Sequence, residues 1–184
     1  LIRDVVGIDA SESKLWGDEN LKRELDPALA GGSLYEMGSY PLLPIAKLLG
    51  TDYLNINIYS RMNDNGVDVY TRGVIMHQKA VSSFQLGLGV KTEGDLVVSG
   101  TKGYVYVPSP WWKTDYFELR YEDQNKNKKY FYTWDEPGLR YEIQEFVSCI
   151  VNSRMVSSRL TPKESIFMAD VMHQFAQRKN FFEI

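Results

Sequence analysis

Glu36 and Tyr40 are the residues whose types and spacing best suit chemistry: an acid and a phenol four positions apart in the otherwise apolar stretch from Asp26 to Gly50. On a helix that spacing puts both side chains on one face, where they can contact the same ligand. Pro41 and Pro44 work against the geometry, because an interior proline removes a backbone hydrogen bond and turns the preceding residue away from α conformation. The plain alternative gives the pair no ligand, with Glu36 satisfying nearby backbone and Tyr40 packing as an amphipathic edge of the core. Trp111 and Trp112, set among Pro108, Pro110 and Lys113, offer flat apolar surface to a sugar ring or a partner chain. Proline-flanked tryptophans also anchor loops to a core, and both readings stay open.

Other reactive residue types are sparse. His77 and His173 have no ligand cluster around them, so no metal site is expected. Cys149 is the single cysteine and lies in an apolar helical stretch without a histidine beside it, which reads as an inert buried thiol. No serine sits in a nucleophile-elbow pattern.

Composition bounds the class. The 184 residues are 43% hydrophobic and 24% charged, enough for one well-buried core or one domain of a larger protein. A formal net charge of -3 and a pI near 5.5 exclude a general affinity for phosphate backbones or anionic lipid. Basic residues are scattered apart from Lys126, Lys128 and Lys129, so neither nucleic acid nor a membrane is an expected partner. No apolar run approaches the roughly 20 residues of a membrane helix, and the opening residues do not read as a signal peptide. With one cysteine and no internal disulfide, a cytoplasmic location is expected. Leu1 to Asp9 reads as a strand already under way without an initiating methionine, so the sequence is expected to start mid-protein.

The elements that would position these side chains follow from periodicity. Asp26-Pro27 is a helix-start signal, since the carboxylate can accept from orphan N–H groups and proline suits the first helical position. Gly31-Gly32 stops that turn. A second helical segment runs from about Leu34 to Leu49, with Leu42, Ile45, Leu48 and Leu49 as its buried stripe and Gly50 as its cap. Strands are expected over Tyr53–Ser60, with Leu54, Ile56 and Ile58 on one face, and over Val67–His77 and Val81–Leu88, the latter with Phe84, Leu86 and Leu88 inward. Leu96–Ser99 and Tyr104–Val107 flank the hairpin turn Gly100-Thr101-Lys102-Gly103. Tyr116–Glu122 and Lys129–Trp134 pair around the polar turn Asp123–Lys128. Two helices close the chain, one with an apolar stripe of Leu139, Ile143, Phe146, Val147 and Ile150. The other opens on the capping box Thr161-Pro162-Lys163-Glu164 and buries Met168, Val171, Met172 and Phe175.

This order predicts an α+β fold: an open-faced, mostly antiparallel sheet with helices packed on one face. Several strands carry aromatic residues on both sides, as in Tyr104 and Tyr106 against Val105 and Val107, or Tyr130, Tyr132 and Trp134 against Phe131. The uncovered face is therefore too apolar for idle surface, and a homo-oligomer joined through it is expected.

The same residues carry a family resemblance. Asp26-Pro27 followed by Gly31-Gly32-Ser33-Leu34-Tyr35-Glu36-Met37-Gly38-Ser39-Tyr40-Pro41-Leu42 resembles the segment that opens the C-terminal domain helix of the Gfo/Idh/MocA oxidoreductases. Val98–Gly103 resembles that domain's strand-turn-strand, Gly138–Phe146 its penultimate helix and Leu160–Ser165 the start of its last helix. The four motifs follow in the family's order over nearly the whole chain.

The resemblance implies residues 1–184 as a single C-terminal domain, substrate-facing and oligomerising, of a two-domain NAD(P)-dependent oxidoreductase acting on a sugar, polyol or related hydroxyl compound. The N-terminal Rossmann domain and the family's Glu-Lys-Pro motif are absent from the sequence. The nearest approach to a dinucleotide fingerprint, Gly87-Leu88-Gly89 followed by Gly94, has the wrong spacing. NAD or NADP is thus expected in the intact enzyme, with none held by this chain, which alone should be inactive. By position, Tyr40 takes the family's His/Tyr place as acid/base for the substrate hydroxyl, and Glu36 stands where the family usually has aspartate. A free tyrosine, with a pKa of about 10, is a poor base at neutral pH unless an ammonium favours its phenolate. The substrate would lie at the interface with the N-terminal domain. The competing reading is a non-enzymatic module that recognises a carbohydrate or protein through Trp111, Trp112 and the aromatic sheet.

Overall fold

Alternating apolar and polar residues build nine strands in this computed structural model, which describes residues 2–15, 23–133 and 138–184. They are β1 (Val5–Lys14), β2 (Asn55–Met62), β3 (Asp68–Met76), β4 (Val81–Leu88), β5 (Leu96–Gly100), β6 (Gly103–Val107), β7 (Tyr116–Arg120), β8 (Lys128–Phe131) and β9 (Phe181–Glu183). One sheet holds them all, in the order β8-β7-β6-β5-β1-β4-β3-β2-β9. The β1–β4 and β2–β9 pairs are parallel and the other neighbours antiparallel. The expected open-faced α+β arrangement is the observed one.

Four helices accompany the sheet: α1 (Ser33–Met37), α2 (Ser39–Leu49), α3 (Leu139–Val151) and α4 (Pro162–Ala176). α1 lies over β3 and β4, α2 over β1, and α4 packs against α2. Burial on this face follows the period of two: Ile8 and Ala10 of β1, Ile56 and Ile58 of β2, and Phe84, Leu86 and Leu88 of β4 meet Leu34, Leu42 and Ile45 in one core. α4 adds Phe167, Val171 and Phe175, with Met168 and Met172 partly buried against them. Its Thr161 side chain caps the Glu164 N–H while Glu164 accepts from the Thr161 N–H, so the expected capping box is present.

Several expectations need correction. The α3 stripe is not core: α3 buries none of its residues, and Phe146 and Ile150 are 68% and 62% exposed. Periodicity reports that a helix has an apolar side, not that a neighbour covers it. The single helix expected over Leu34–Leu49 divides at Gly38 into α1 and α2, and Leu48 lies exposed. Leu54 falls just before β2 and points to solvent instead of joining Ile56 and Ile58. β1 begins at Val5 and runs to Lys14, beyond the expected end at Asp9, and Leu1 lies outside the described residues. Cys149 is half-buried, with its thiol directed at Glu145. β9, three residues at the end of the chain, has no periodicity to announce it and pairs with β2 by register alone.

Candidate functional site

The Gly-Gly-Ser stretch sets the angle at which α1 and α2 leave the loop. Asp26 caps the Pro27–Leu29 turn by accepting from the Ala28 N–H at 2.9 Å. Gly31 then passes so close to the preceding loop that a Cβ there would stand 2.4 Å from the Glu24 carbonyl oxygen. Gly32, at φ +130°, adopts backbone that side chains disfavour, and a Cβ would fall 2.0 Å from the Asp68 carboxylate. That carboxylate, on the first residue of β3, is the true cap of α1. It accepts from the Leu34 N–H at 2.9 Å, the Ser33 hydroxyl at 2.6 Å and the Thr71 hydroxyl at 2.7 Å. Burial pushes its carboxyl above the usual range despite those donors. Sequence reasoning missed Asp68; the available signal was an acid opening a strand, where acids are disfavoured.

Glu36 and Tyr40 do lie one turn apart on a nearly continuous helical path. The Gly38 N–H donates to Leu34 and the Leu42 N–H to Gly38, so the ladder bridges the break, and Pro41 falls in the first turn of α2, where its missing N–H costs least. Their side chains, however, have different surroundings. Glu36 pairs with Arg23 at 2.5 Å; Arg23 lies 3.9 Å from Glu24, which in turn accepts from Lys14 at 2.6 Å. Tyr40 makes a T-shaped contact with Trp112, ring centres 5.9 Å apart, and its hydroxyl has no hydrogen-bond partner among the described residues.

The two tryptophans divide the readings once offered for both. Trp111 is an anchor: its indole N–H donates to the Ser11 carbonyl at 3.2 Å, its backbone N–H to Gly94 at 3.0 Å, and its ring packs on the core. Trp112 stands against Trp111 and Tyr40 and joins the loop to the start of α2. Tyr40, Trp112 and Trp111 are therefore brought together, while Glu36 is tied into an ion-pair chain.

Glu12 was not picked out from sequence. It lies on the helix-covered face of β1, in step with Ile8 and Ala10, and is 6% exposed. Its Oε2 has no hydrogen-bond partner among the described residues, and burial alone pushes its carboxyl up to about 7. The signal was a carboxylate in phase with the apolar residues of a central strand.

On the opposite face of the sheet, the aromatic residues are accompanied by cations. The Arg120 guanidinium lies 4.2 Å from the Tyr106 ring centre, and the Lys129 ammonium 3.9 Å from that of Tyr116. Tyr130 stacks on Phe117 across the sheet from Phe131, and Tyr132, past β8, stacks there too; Trp134 lies outside the described residues. The middle of this face is polar, with Asp9, Arg72, Ser83 and Gln85 side by side, so its aromatic residues lie toward the edges of the sheet. Among the described residues no three His, Cys, Asp or Glu side chains converge as a metal would need, and no helix is long and apolar enough to cross a membrane.

No family model matches the chain. It is 26% identical over 163 residues to trans-1,2-dihydrobenzene-1,2-diol dehydrogenase of Sus scrofa, covering 84% of this chain and 48% of that protein. The Oryctolagus cuniculus protein of the same name is 27% identical over 160 residues, with 83% and 48% covered. The chain thus spans about half the length of the curated relatives it matches. Among solved structures, KijD10, a 3-ketoreductase from Actinomadura kijaniata in complex with NADP and TDP-benzene, superposes with a TM-score of 0.84 at 15% identity, over 100% of this chain and 56% of that one. Levoglucosan dehydrogenase, in complex with NADH and levoglucosan, gives a TM-score of 0.74 at 15% identity, over 97% and 57%.

Proposed function

We propose that this chain, which resembles the C-terminal domain of the Gfo/Idh/MocA oxidoreductases, is the substrate-facing half of an NAD(P)-dependent oxidoreductase acting on a sugar, polyol or related hydroxyl compound. The observation that carries the reading is Tyr40, 43% exposed, in T-shaped contact with Trp112 and with a hydroxyl that has no partner among the described residues. A phenol so placed can exchange a proton with a substrate hydroxyl while Trp112 offers a flat wall to the ring that bears it. The ammonium that would favour its phenolate is assigned to the nucleotide-binding half. Glu36, held by Arg23, is assigned to hydrogen bonding and orientation of substrate hydroxyls.

The described residues do not fit a dinucleotide cradle. β4 runs through Gly87 and Leu88, and the chain then enters the loop to β5, not the helix that a pyrophosphate site requires. NAD or NADP would therefore be held by the other half of the intact protein, where its nicotinamide supplies or takes the hydride. The bare stripe of α3 supports such a second half, because exposed apolar surface of this kind marks an interaction site. By itself this chain is expected to be inactive. A homo-oligomer through the open sheet face and a cytoplasmic location complete the proposal.

Tyr40→Phe in the intact protein, assayed with NADPH and NADH against cyclic diols and anhydro-sugars, tests it. The expected loss in kcat is about 100-fold or more, with KM little changed, as for removal of a general acid/base. Near-normal turnover sinks the assignment. Sugar binding without any nucleotide-dependent turnover would favour the non-enzymatic module instead.

A further inference from the structure

Ser11 of β1 joins two loops at the end of a strand pair. β1 pairs with β5 as far as Ala10 and Leu96, and the Ser11 N–H adds one bond beyond them, to the Asp95 carbonyl at 3.0 Å. There the Ser11 carbonyl accepts from the Trp111 indole N–H at 3.2 Å, and its buried hydroxyl accepts from the Gly94 N–H at 2.8 Å. The Gly94 carbonyl in turn accepts from the Trp111 backbone N–H at 3.0 Å. Ser11, Gly94 and Trp111, from three separate segments, thus form a closed ring in which each is bonded to the other two. Ser13, two residues along the strand, holds the same loop by accepting from the Thr92 N–H at 3.0 Å. Gly94 lies at φ +77°, and a Cβ there would stand 2.7 Å from the Ser109 hydroxyl and 4.0 Å from Cη2 of Trp112, so this loop runs directly against the tryptophan segment. Trp112 follows the ring in the chain and makes T-shaped contacts with both Trp111 and Tyr40, ring centres 5.9 Å apart in each.

We propose that Ser11 is a positioning residue for the substrate wall: through Gly94 and Trp111 it holds Trp112 beside Tyr40, and the fixed indole selects a cyclic polyol over an open-chain one. The inference rests on the reading of Tyr40 and Trp112 as the substrate site and adds to it the residue that sets the wall. A rigid ring gains contact along its flat face only where the indole already stands, whereas an open chain bends to meet it. A wall held in advance therefore lowers the cost of binding the ring more than that of binding the chain.

The test uses the intact protein with levoglucosan as the cyclic probe and sorbitol as the open-chain one, following the reduction of NAD and NADP. Ser11→Ala removes the acceptor for the Gly94 N–H, and Trp111→Phe removes the indole donor to the Ser11 carbonyl. Each should raise KM for levoglucosan about fivefold to tenfold, with kcat held within about twofold and KM for sorbitol little changed. Because both cut the same ring of contacts, the double variant should be little worse than the weaker single one. Ser11→Thr keeps the hydroxyl and should treat levoglucosan as wild type does. With 5-fluorotryptophan incorporated, the Trp112 fluorine resonance, assigned by its loss in Trp112→Phe, should shift or broaden in Ser11→Ala and return in Ser11→Thr. Val171→Ala, a truncation in the core under α4, is the control for lost stability. An unmoved Trp112 resonance in Ser11→Ala, an equal rise in KM for both probes, or the same rise in Val171→Ala overturns the proposal and leaves the Tyr40 reading intact. A wild type that turns over neither probe, or near-normal turnover in Tyr40→Phe, removes the reading of the site and the proposal with it.

Discussion

Two buried carboxylates, Asp68 and Glu12, have opposite surroundings. Asp68 accepts from the Ser33 hydroxyl, the Leu34 N–H and the Thr71 hydroxyl, and so fixes where α1 begins; Glu12 lacks a donor for one oxygen among the described residues. Removing the first should therefore harm the fold and removing the second should not. Asp68→Ala strands three donors in a buried place and is expected to cost roughly 2–4 kcal/mol in denaturant unfolding. Asp68→Asn keeps an acceptor oxygen and should lose less than half of that. If both variants unfold alike, the carboxylate is not what holds α1. A shift of α1 would also move Tyr40, one turn beyond it, so turnover should fall with stability in the alanine variant.

At the scale of elements, α3 and α4 show what an apolar stripe does and does not say. Both read from sequence as amphipathic helices, and both are helices, yet Val171 of α4 is fully buried while the α3 stripe faces solvent. Truncation should separate them. Val171→Ala removes atoms from a packed core and is expected to cost about 1–3 kcal/mol, whereas Ile150→Ala should stay within about 0.5 kcal/mol in the isolated chain. Equal costs in thermal or urea unfolding would mean that α3 is packed after all. The strands were the most legible elements: Val81–Leu88 was bounded to the residue, because a run with Phe84, Leu86 and Leu88 on one face admits one register. The site was legible only in part. Tyr40, Trp111 and Trp112 are aromatic residues in conspicuous settings, but their meeting depends on a loop from β6 crossing to α2, and no local period encodes a contact between residues so far apart in sequence. Asp68 and Glu12 were hidden for a related reason, since a charge within a strand reads as a solvent-facing residue until the sheet shows which side is covered.

The described residues form a sheet with one face built for its own core and the other uncovered by any of their helices. That bare face has aromatic residues toward one edge, Tyr104, Tyr106, Tyr116 and Phe131, and Tyr59 stacked on Phe182 toward the other, with Asp9, Arg72, Ser83 and Gln85 between. Arg120 and Lys129 lie over the first group, which makes those rings tolerable in water and leaves them available for burial. Two copies related by a two-fold axis could set the aromatic edge of each against the other, with charge complementarity between Asp9 and Arg72 across the centre. Sedimentation of the intact protein at micromolar concentration should therefore show a dimer or a multiple of one. Tyr104→Asp puts a charge into that face without touching the helix-side core, so it should shift the protein toward monomer while moving the melting midpoint only through the lost association. A wild type that sediments as monomer, or a Tyr104→Asp variant that stays associated, would place the oligomer elsewhere. In either case the aromatic edge would need another partner to explain its composition.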